Sequence, residues 1–343
     1  MKLIDTTKAE GHVLCHDITV IVRGVKKGVA FRKGHIVTKE DIPALLDLGK
    51  EHLYVWEKDE TMYHEDEAAE ILRELCMGEN TVSSGAPREG KIELTAACDG
   101  LFVVASERLR ALNALGDITI ATRHGMTPVR AGDKLAGMRV TPLVIAKAAM
   151  ERAKAAAGET PLLAVRAFRP LRCGVVTTGG EVFSGRIADT FTPVVEQKLA
   201  EYGSAVAWHE TCPDDNAAIV AAIHGMLDAG ADMILTTGGM SVDPDDRTPA
   251  AIRDAGARIV SYGAPVLPGA MLLVGYFERG GRSDPVLGLP GCVMYARRTV
   301  FDLLLCRAAA GVEITRDDIA ALGEGGLCLD CETCTYPNCG FGK

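Results

Sequence analysis

Two short segments of this chain repeat one pattern. Val175-Val176-Thr177-Thr178-Gly179-Gly180 and Ile234-Leu235-Thr236-Thr237-Gly238-Gly239 each close an apolar run with two threonines and two glycines. Paired glycines let a backbone turn sharply and leave N–H groups unobstructed, and threonine hydroxyls add donors. A helix opening just beyond each loop would add partial positive charge. The chemistry that suits such loops is the holding of an anion. Carboxylates crowd the same stretches. Met240-Ser241-Val242-Asp243-Pro244-Asp245-Asp246-Arg247-Thr248-Pro249 follows the second loop, and Asp214-Asp215 precede another apolar segment. Carboxylates beside a phosphate site hold Mg2+ or orient a nucleophile. They also serve in turns and helix caps, which fits Asp243-Pro244 and Asp214-Asp215. After the first loop come Glu181, Ser184, Gly185, Arg186 and Asp189. Ser184 and Gly185 offer further donors, Arg186 a cation for an oxyanion, and Asp189 either a contact or a cap for a helix at Thr192. Leu289-Pro290-Gly291-Cys292 opens the last apolar stretch and brings one more chain turn to the same chemistry.

A second constellation stands near the C-terminus. Cys328, Cys331, Cys334 and Cys339 follow a C-x2-C-x2-C-x4-C spacing, among the polar neighbours Asp330, Glu332, Thr335 and Asn338. Four thiolates at this density suit tetrahedral Zn2+ or a 4Fe–4S cluster. A reactive thiol pair, or a thiolate tail that handles metal or sulfur, is the other reading. The chain has 11 cysteines, and those outside the tail are scattered singly in mostly apolar surroundings. They read as reduced thiols of a reducing compartment.

The elements that must position these loops divide into two patterns. Residues 8–56 read as a small β-rich module, with a helix from Thr38 to Gly49 and a strand at Leu53–Trp56. His64 to Met77 has helical spacing, Leu101–Val104 and Ile118–Thr122 read as strands, and Leu143 to Ala157 reads as an Ala-rich helix. Gly158-Glu159-Thr160-Pro161 marks a boundary. Beyond it, strands and helices alternate. The strands are Cys173–Thr178, Ala205–Trp208, Met233–Thr237, Arg258–Tyr262, Met271–Tyr276 and Val286–Leu289. The helices open at Thr192, Asp214 and Thr248, and a long one runs from Gly291 to Ala310. This alternation predicts an α/β fold, a three-layer α/β/α domain with a mostly parallel sheet. A smaller β-rich α+β region precedes it and a short Cys-rich tail follows. The expected division is 1–158, 159–322 and 323–343. Ligands on such sheets bind beyond the carboxyl ends of the strands, where both T-T-G-G loops fall.

Bulk composition bounds the function. With 37 basic and 46 acidic side chains the formal charge is −9, which disfavours nucleic acid and anionic membrane as partners. Met1-Lys2-Leu3-Ile4-Asp5 carries no apolar signal core and no run of apolar residues spans a bilayer, so a cytoplasmic protein is expected.

The ordered motifs Thr177-Thr178-Gly179-Gly180-Glu181…Ser184-Gly185-Arg186…Asp189, Thr236-Thr237-Gly238-Gly239-Met240-Ser241…Asp246 and Leu289-Pro290-Gly291 resemble the molybdopterin-binding domain of molybdenum-cofactor biosynthesis proteins. That domain is shared by molybdenum insertases and molybdopterin adenylyltransferases. The resemblance covers roughly Leu171 to Gly311. It implies a domain that binds the pterin phosphate and Mg2+-dependent chemistry on an adenylylated pterin, with molybdate as co-substrate. By motif position it places Asp246 on the family's catalytic aspartate and Asp214 on its second acidic position. Ser241, Asp243, Pro290 and Gly291 fall among the ligand contacts, and a homo-oligomer, dimer or trimer, is implied. Phe31 to Gly49 resembles an insertase segment in part. The insertases' N-terminal S-x-x-D-G-[YF]-A signature has no counterpart, and their Leu-Pro-Gly-Asn-Pro is here Leu289-Pro290-Gly291-Cys292-Val293.

Three functions follow from these residues. One is a molybdopterin molybdotransferase, an insertase-like enzyme. Another is a carrier that delivers the cofactor to a client molybdoenzyme without turnover. The last is an ADP-ribose-type nucleotide pyrophosphatase, because Asp243-Pro244-Asp245-Asp246 after T-G-G is similar to the pattern of the competence-damage-inducible family.

Overall fold

Val175, Val176, Ile234, Leu235, Val286 and Leu287 have no exposed surface, as strands covered on both faces require. The computed structural model describes residues 2–22, 26–56, 59–240 and 246–343. It places those residues in a six-stranded sheet of β1 (Arg172–Thr178), β2 (Ala205–Cys212), β3 (Met233–Thr237), β4 (Arg258–Tyr262), β5 (Leu273–Arg279) and β6 (Arg282–Leu289). The order across the sheet is β2-β1-β3-β6-β5-β4. The strands β2, β1, β3 and β6 run parallel, while β5 is antiparallel to both β6 and β4.

Alternate side chains on these strands enter two different cores, as a period of two dictates. Val175, Leu235, Leu287 and Val274 pack on one face with Val195, Leu199, Phe301 and Leu304. Val176, Ile234, Val286 and Leu273 pack on the other with Ile219, Ile223, Met226 and Ile252. These partners come from α1 (Thr192–Ala200), α2 (Asn216–Asp228), α3 (Thr248–Asp254) and α4 (Val300–Ala309). With α1 and α4 on one face and α2 and α3 on the other, the three-layer α/β/α expectation holds.

Several boundaries differ from the sequence reading, each for an identifiable reason. The stretch Gly291 to Ala310 is not one helix. A 3-10 turn spans Gly291–Met294, and α4 begins only at Val300. Thr299 and Asp302 form a reciprocal capping box there, and the Lys198 ammonium takes the Arg297 carbonyl at 3.1 Å. The last two strands are longer than expected and form a hairpin. Gly280 and Gly281, at φ 53° and 78°, make its two-residue turn. Val144–Ala146 pairs as a strand before the helix Lys147–Ala157 begins. Thr192 lies inside α1 instead of capping it; Asp189 accepts from the N–H groups of Phe191 and Thr192 at 2.8 and 3.1 Å.

The chain forms two units. One comprises Met1–Ala97, Val104–Arg123 and Gly132–Ala164, the other Cys98–Val103, His124–Ala131 and Val165–Lys343. The first unit holds an antiparallel sheet of Thr81–Ser83, Ile92–Ala96, Lys134–Val140 and Ile118–Thr122. Its N-terminal part pairs Lys2–Asp5 with His52–Val55 and Ile18–Val22 with Lys26–Phe31. Leu14, Ile18, Val37, Leu45, Leu53 and Val55 form the core of that part. Among the described residues no helix is long and apolar enough to cross a membrane.

Candidate functional site

Parallel pairing sets the three motifs in a row. Thr177 lies opposite Thr237, and Thr237 lies opposite Leu289. Both T-T-G-G loops and the Leu289-Pro290-Gly291 turn therefore leave the sheet side by side at its carboxyl edge. A crevice of about 700 Å³ opens there. Its polar walls are Thr177, Thr178, Glu181, Asp189, Thr190, Thr237, Gly238, Gly239 and Asp246. Its apolar walls include Val182, Ile187, Phe191, Met240, Met271, Pro290, Met294 and Tyr295. The volume is within the usual range for a small-molecule site.

The loop threonines are tied to one another beneath this surface. The Thr177 hydroxyl lies 3.1 Å from Asp189 Oδ2, 3.4 Å from the Thr192 hydroxyl and 3.0 Å from His209 Nε2. Thr178 donates to the Thr237 carbonyl at 3.2 Å and lies 3.0 Å from the Thr248 hydroxyl. The two loops approach so closely that a Cβ on Gly238 would stand 2.2 Å from the Thr178 carbonyl oxygen, and its φ is +81°. Only glycine meets both conditions.

Three carboxylates reach the walls. Asp189 is the most committed. Partial burial pushes its carboxyl up, but donors from Thr192, Phe191 and Thr177 outweigh this and hold it below the ordinary value. Asp246 is half-buried on the opposite loop. Partial burial and the Asp246 charge together push the Tyr262 phenol up, and that phenol donates to the Met240 carbonyl at 3.1 Å. Glu181 is the third, exposed at the mouth.

Other expected residues stand back from the walls. Asp214 accepts from the Gly180 N–H at 2.8 Å and so buttresses the first loop from behind. Gly179, Gly180, Ser184, Gly185 and Arg186 do not line the crevice, and Arg186 is exposed. Thr236 is fully buried in β3. Ser241 and Asp243, with Val242, Pro244 and Asp245, lie outside the described residues.

Sequence reasoning missed His209, Thr192, Thr248 and Tyr262. Two of these did leave a signal. Thr192-Pro193 and Thr248-Pro249 each follow a T-T-G-G loop, and the two threonines reach Thr177 and Thr178 respectively. His209 left none, because only the β1–β2 pairing brings it to Thr177.

Among the described residues no Lys or Arg lines the crevice, and no group of three or more His, Cys, Asp and Glu is gathered as a metal site. Mg2+ is commonly held by one or two carboxylates together with substrate phosphates and waters, and Asp246 and Glu181 are carboxylates of that kind on the crevice walls. The four tail cysteines line a different cavity, of about 520 Å³, and none is in a disulfide.

Residues 174–310, from β1 through α4, match the family described as "Probable molybdopterin binding domain". This segment belongs to the molybdopterin-binding domain family. Residues 3–57 match a domain of unknown function. A CinA-like protein of Mycobacterium leprae (strain TN) is 39% identical over 77 residues, 22% of this chain and 18% of that protein. A CinA-like protein of Citrifermentans bemidjiense is 38% identical over 90 residues, 26% of this chain and 22% of that protein. The chain thus spans about a fifth of the length of these curated relatives. Among solved structures, the molybdopterin biosynthesis enzyme MoaB of Thermus thermophilus is 28% identical. It covers 41% of this chain and 97% of its own, at a TM-score of 0.36.

Proposed function

We propose that this molybdopterin-binding domain acts in molybdenum-cofactor biosynthesis, binding an adenylylated molybdopterin and assisting molybdate insertion with Mg2+. One observation carries the proposal: all three motifs of the family-matched segment meet on the walls of a single crevice. The loop backbones at Gly238 and Gly239, with Thr237 beside them, receive the pterin phosphate. Ile187, Met294 and Tyr295 offer an apolar surface to the flat ring. A phosphate beside Asp246, Glu181 and Asp189 meets three negative side chains and, among the described residues, no lining cation, so its charge needs an outside counter-ion. Bound Mg2+ would offset that charge and polarise the phosphoanhydride. Asp246 and Glu181 would hold the ion, while Asp189 stays with Thr177, Thr192 and His209, fixing the first loop.

The test mixes the purified protein with adenylylated molybdopterin, Mg2+ and molybdate. AMP release is expected, dependent on Mg2+, and about 100-fold slower in Asp246→Asn. Pterin binding without AMP release would replace this reading with the carrier, a role in which a client molybdoenzyme and a dimer or trimer are the natural partners. The similarity to CinA-like proteins favours a second reading, the nucleotide pyrophosphatase. Release of AMP from ADP-ribose but not from the adenylylated pterin would select it.

A further inference from the structure

The residues around the tail cysteines are fastened on both sides. Before the first cysteine, the Leu267 N–H donates to the Gly326 carbonyl, and the Cys328 N–H donates back to Leu267, both at 2.8 Å. After the last, the Gly342 N–H donates to the Gly325 carbonyl at 2.9 Å, and Phe341 is buried in the core under α4. In the middle, Arg297 Nη1 donates to the carbonyls of Cys331 and Glu332 at 3.1 and 2.7 Å. The Tyr336 phenol donates to the Asp302 carbonyl at 3.2 Å.

Between these fastenings Cys328, Cys331, Cys334 and Cys339 all face one cavity of about 520 Å³. Asp330, at φ +47°, turns the chain between the first two. Cys331 and Cys334 are exposed and the other two half-buried. Cys328 and Cys339 also pack against the core beneath, but the exposed Cys331 and Cys334 do not serve packing, which would bury them as Cys173 and Cys306 are buried.

We propose that these four cysteines together hold a thiophilic metal centre in this cavity. This inference stands apart from the reading of the pterin crevice. The thiols line the cavity without being gathered to coordination distance. Metal binding supplies that last step, because ligands are drawn together as the ion enters. Arg297 in the cavity wall adds positive charge against the negative charge of a tetrathiolate. Zn2+ is enclosed by sulfurs about 2.3 Å away and needs no roomy cavity. The C-x2-C spacing suits both a tetrahedral Zn2+ site and a 4Fe–4S cluster, and the experiment decides between them.

The experiment uses the full chain purified without oxygen, then reconstituted in one arm with ferrous iron and sulfide and in another with Zn2+. Iron, sulfide and zinc are measured per chain, with visible absorption and circular dichroism. About four irons and four sulfides per chain with charge-transfer absorption, or one tightly held zinc, is the expected result. The Cys331→Ser/Cys334→Ser variant removes two exposed thiols and keeps every fastening. It should lose metal at least about tenfold with an unchanged far-ultraviolet spectrum, while Cys98→Ser, outside the tail, should not. Two results overturn the proposal: a wild-type chain that retains neither metal, or a Cys331→Ser/Cys334→Ser chain that retains as much as wild type.

Discussion

The Thr237 hydroxyl on β3 lies 3.3 Å from the Thr177 hydroxyl on β1, directly across the parallel register. The two loops are therefore joined at the crevice wall, and through Thr177 the junction extends to Asp189, Thr192 and His209.

Asp189 is the group on which this junction turns. Asp189→Asn should lower stability by about 1–3 kcal/mol, the cost of weakened hydrogen bonds to a charged acceptor. The effect has a pH signature. The folded carboxyl titrates below its ordinary value. Its contribution is thus complete above the unfolded value of about 4 and is lost as the pH falls through the lower folded one. Urea unfolding should show a wild-type advantage that is constant near neutrality and shrinks in acid. An advantage that grows in acid would be the wrong sign.

Gly238→Ala tests the close approach of the loops. It combines a positive φ with a clash against the Thr178 backbone, and strain of this kind costs about 1–3 kcal/mol. Thermal unfolding should shift down, and phosphate-ligand affinity should fall more than in Gly225→Ala, where an added Cβ meets nothing within 4 Å.

The buried pair Lys198 and Asp302 joins α1 to α4, with the ammonium 2.7 and 2.9 Å from the two carboxylate oxygens. Asp302 also caps α4 and pairs with Arg298 at 2.9 Å. Asp302→Ala should cost about 3–5 kcal/mol, since it strands a buried ammonium. Lys198→Met should cost less, because Arg298 still faces the carboxylate. Denaturant titrations giving the reverse order would contradict this assignment.

The cysteines should separate by reactivity. Burial pushes the thiols of Cys76, Cys173 and Cys306 up to about 12, so they stay protonated and inert. In the metal-free native protein at about pH 8, a disulfide reagent should modify exposed Cys331 and Cys334 first. The three buried thiols should respond only after denaturant is added.

Much of the second unit was legible because its strands are short apolar runs that end in distinctive loops. Val175-Val176 and Ile234-Leu235 announce burial on both faces, and the glycines that follow announce turns. The break before Val300 was overlooked in the sequence. Val293, Ala296 and Val300 keep a helical spacing across it and masked the one signal present, the Thr299…Asp302 capping box, while the Arg297 carbonyl is taken by Lys198 from a distant helix. His209 escaped notice for the same physical reason, since its partner Thr177 lies 32 residues away. The tail showed its cysteine spacing but not its fastenings, which come from Leu267, Arg297 and Asp302.

The polypeptide contributes Cys98–Val103 and His124–Ala131 to the unit that otherwise begins at Val165, and Leu101 is fully buried in that unit's core. A protease cut or gene truncation near residue 165 would therefore not release a finished domain. It would leave the second unit without Leu101 and would sever the strand Leu163–Ala167 that pairs with Gly100–Val104. The two halves are interleaved along the gene, so neither can be inherited, transplanted or expressed alone by a single cut.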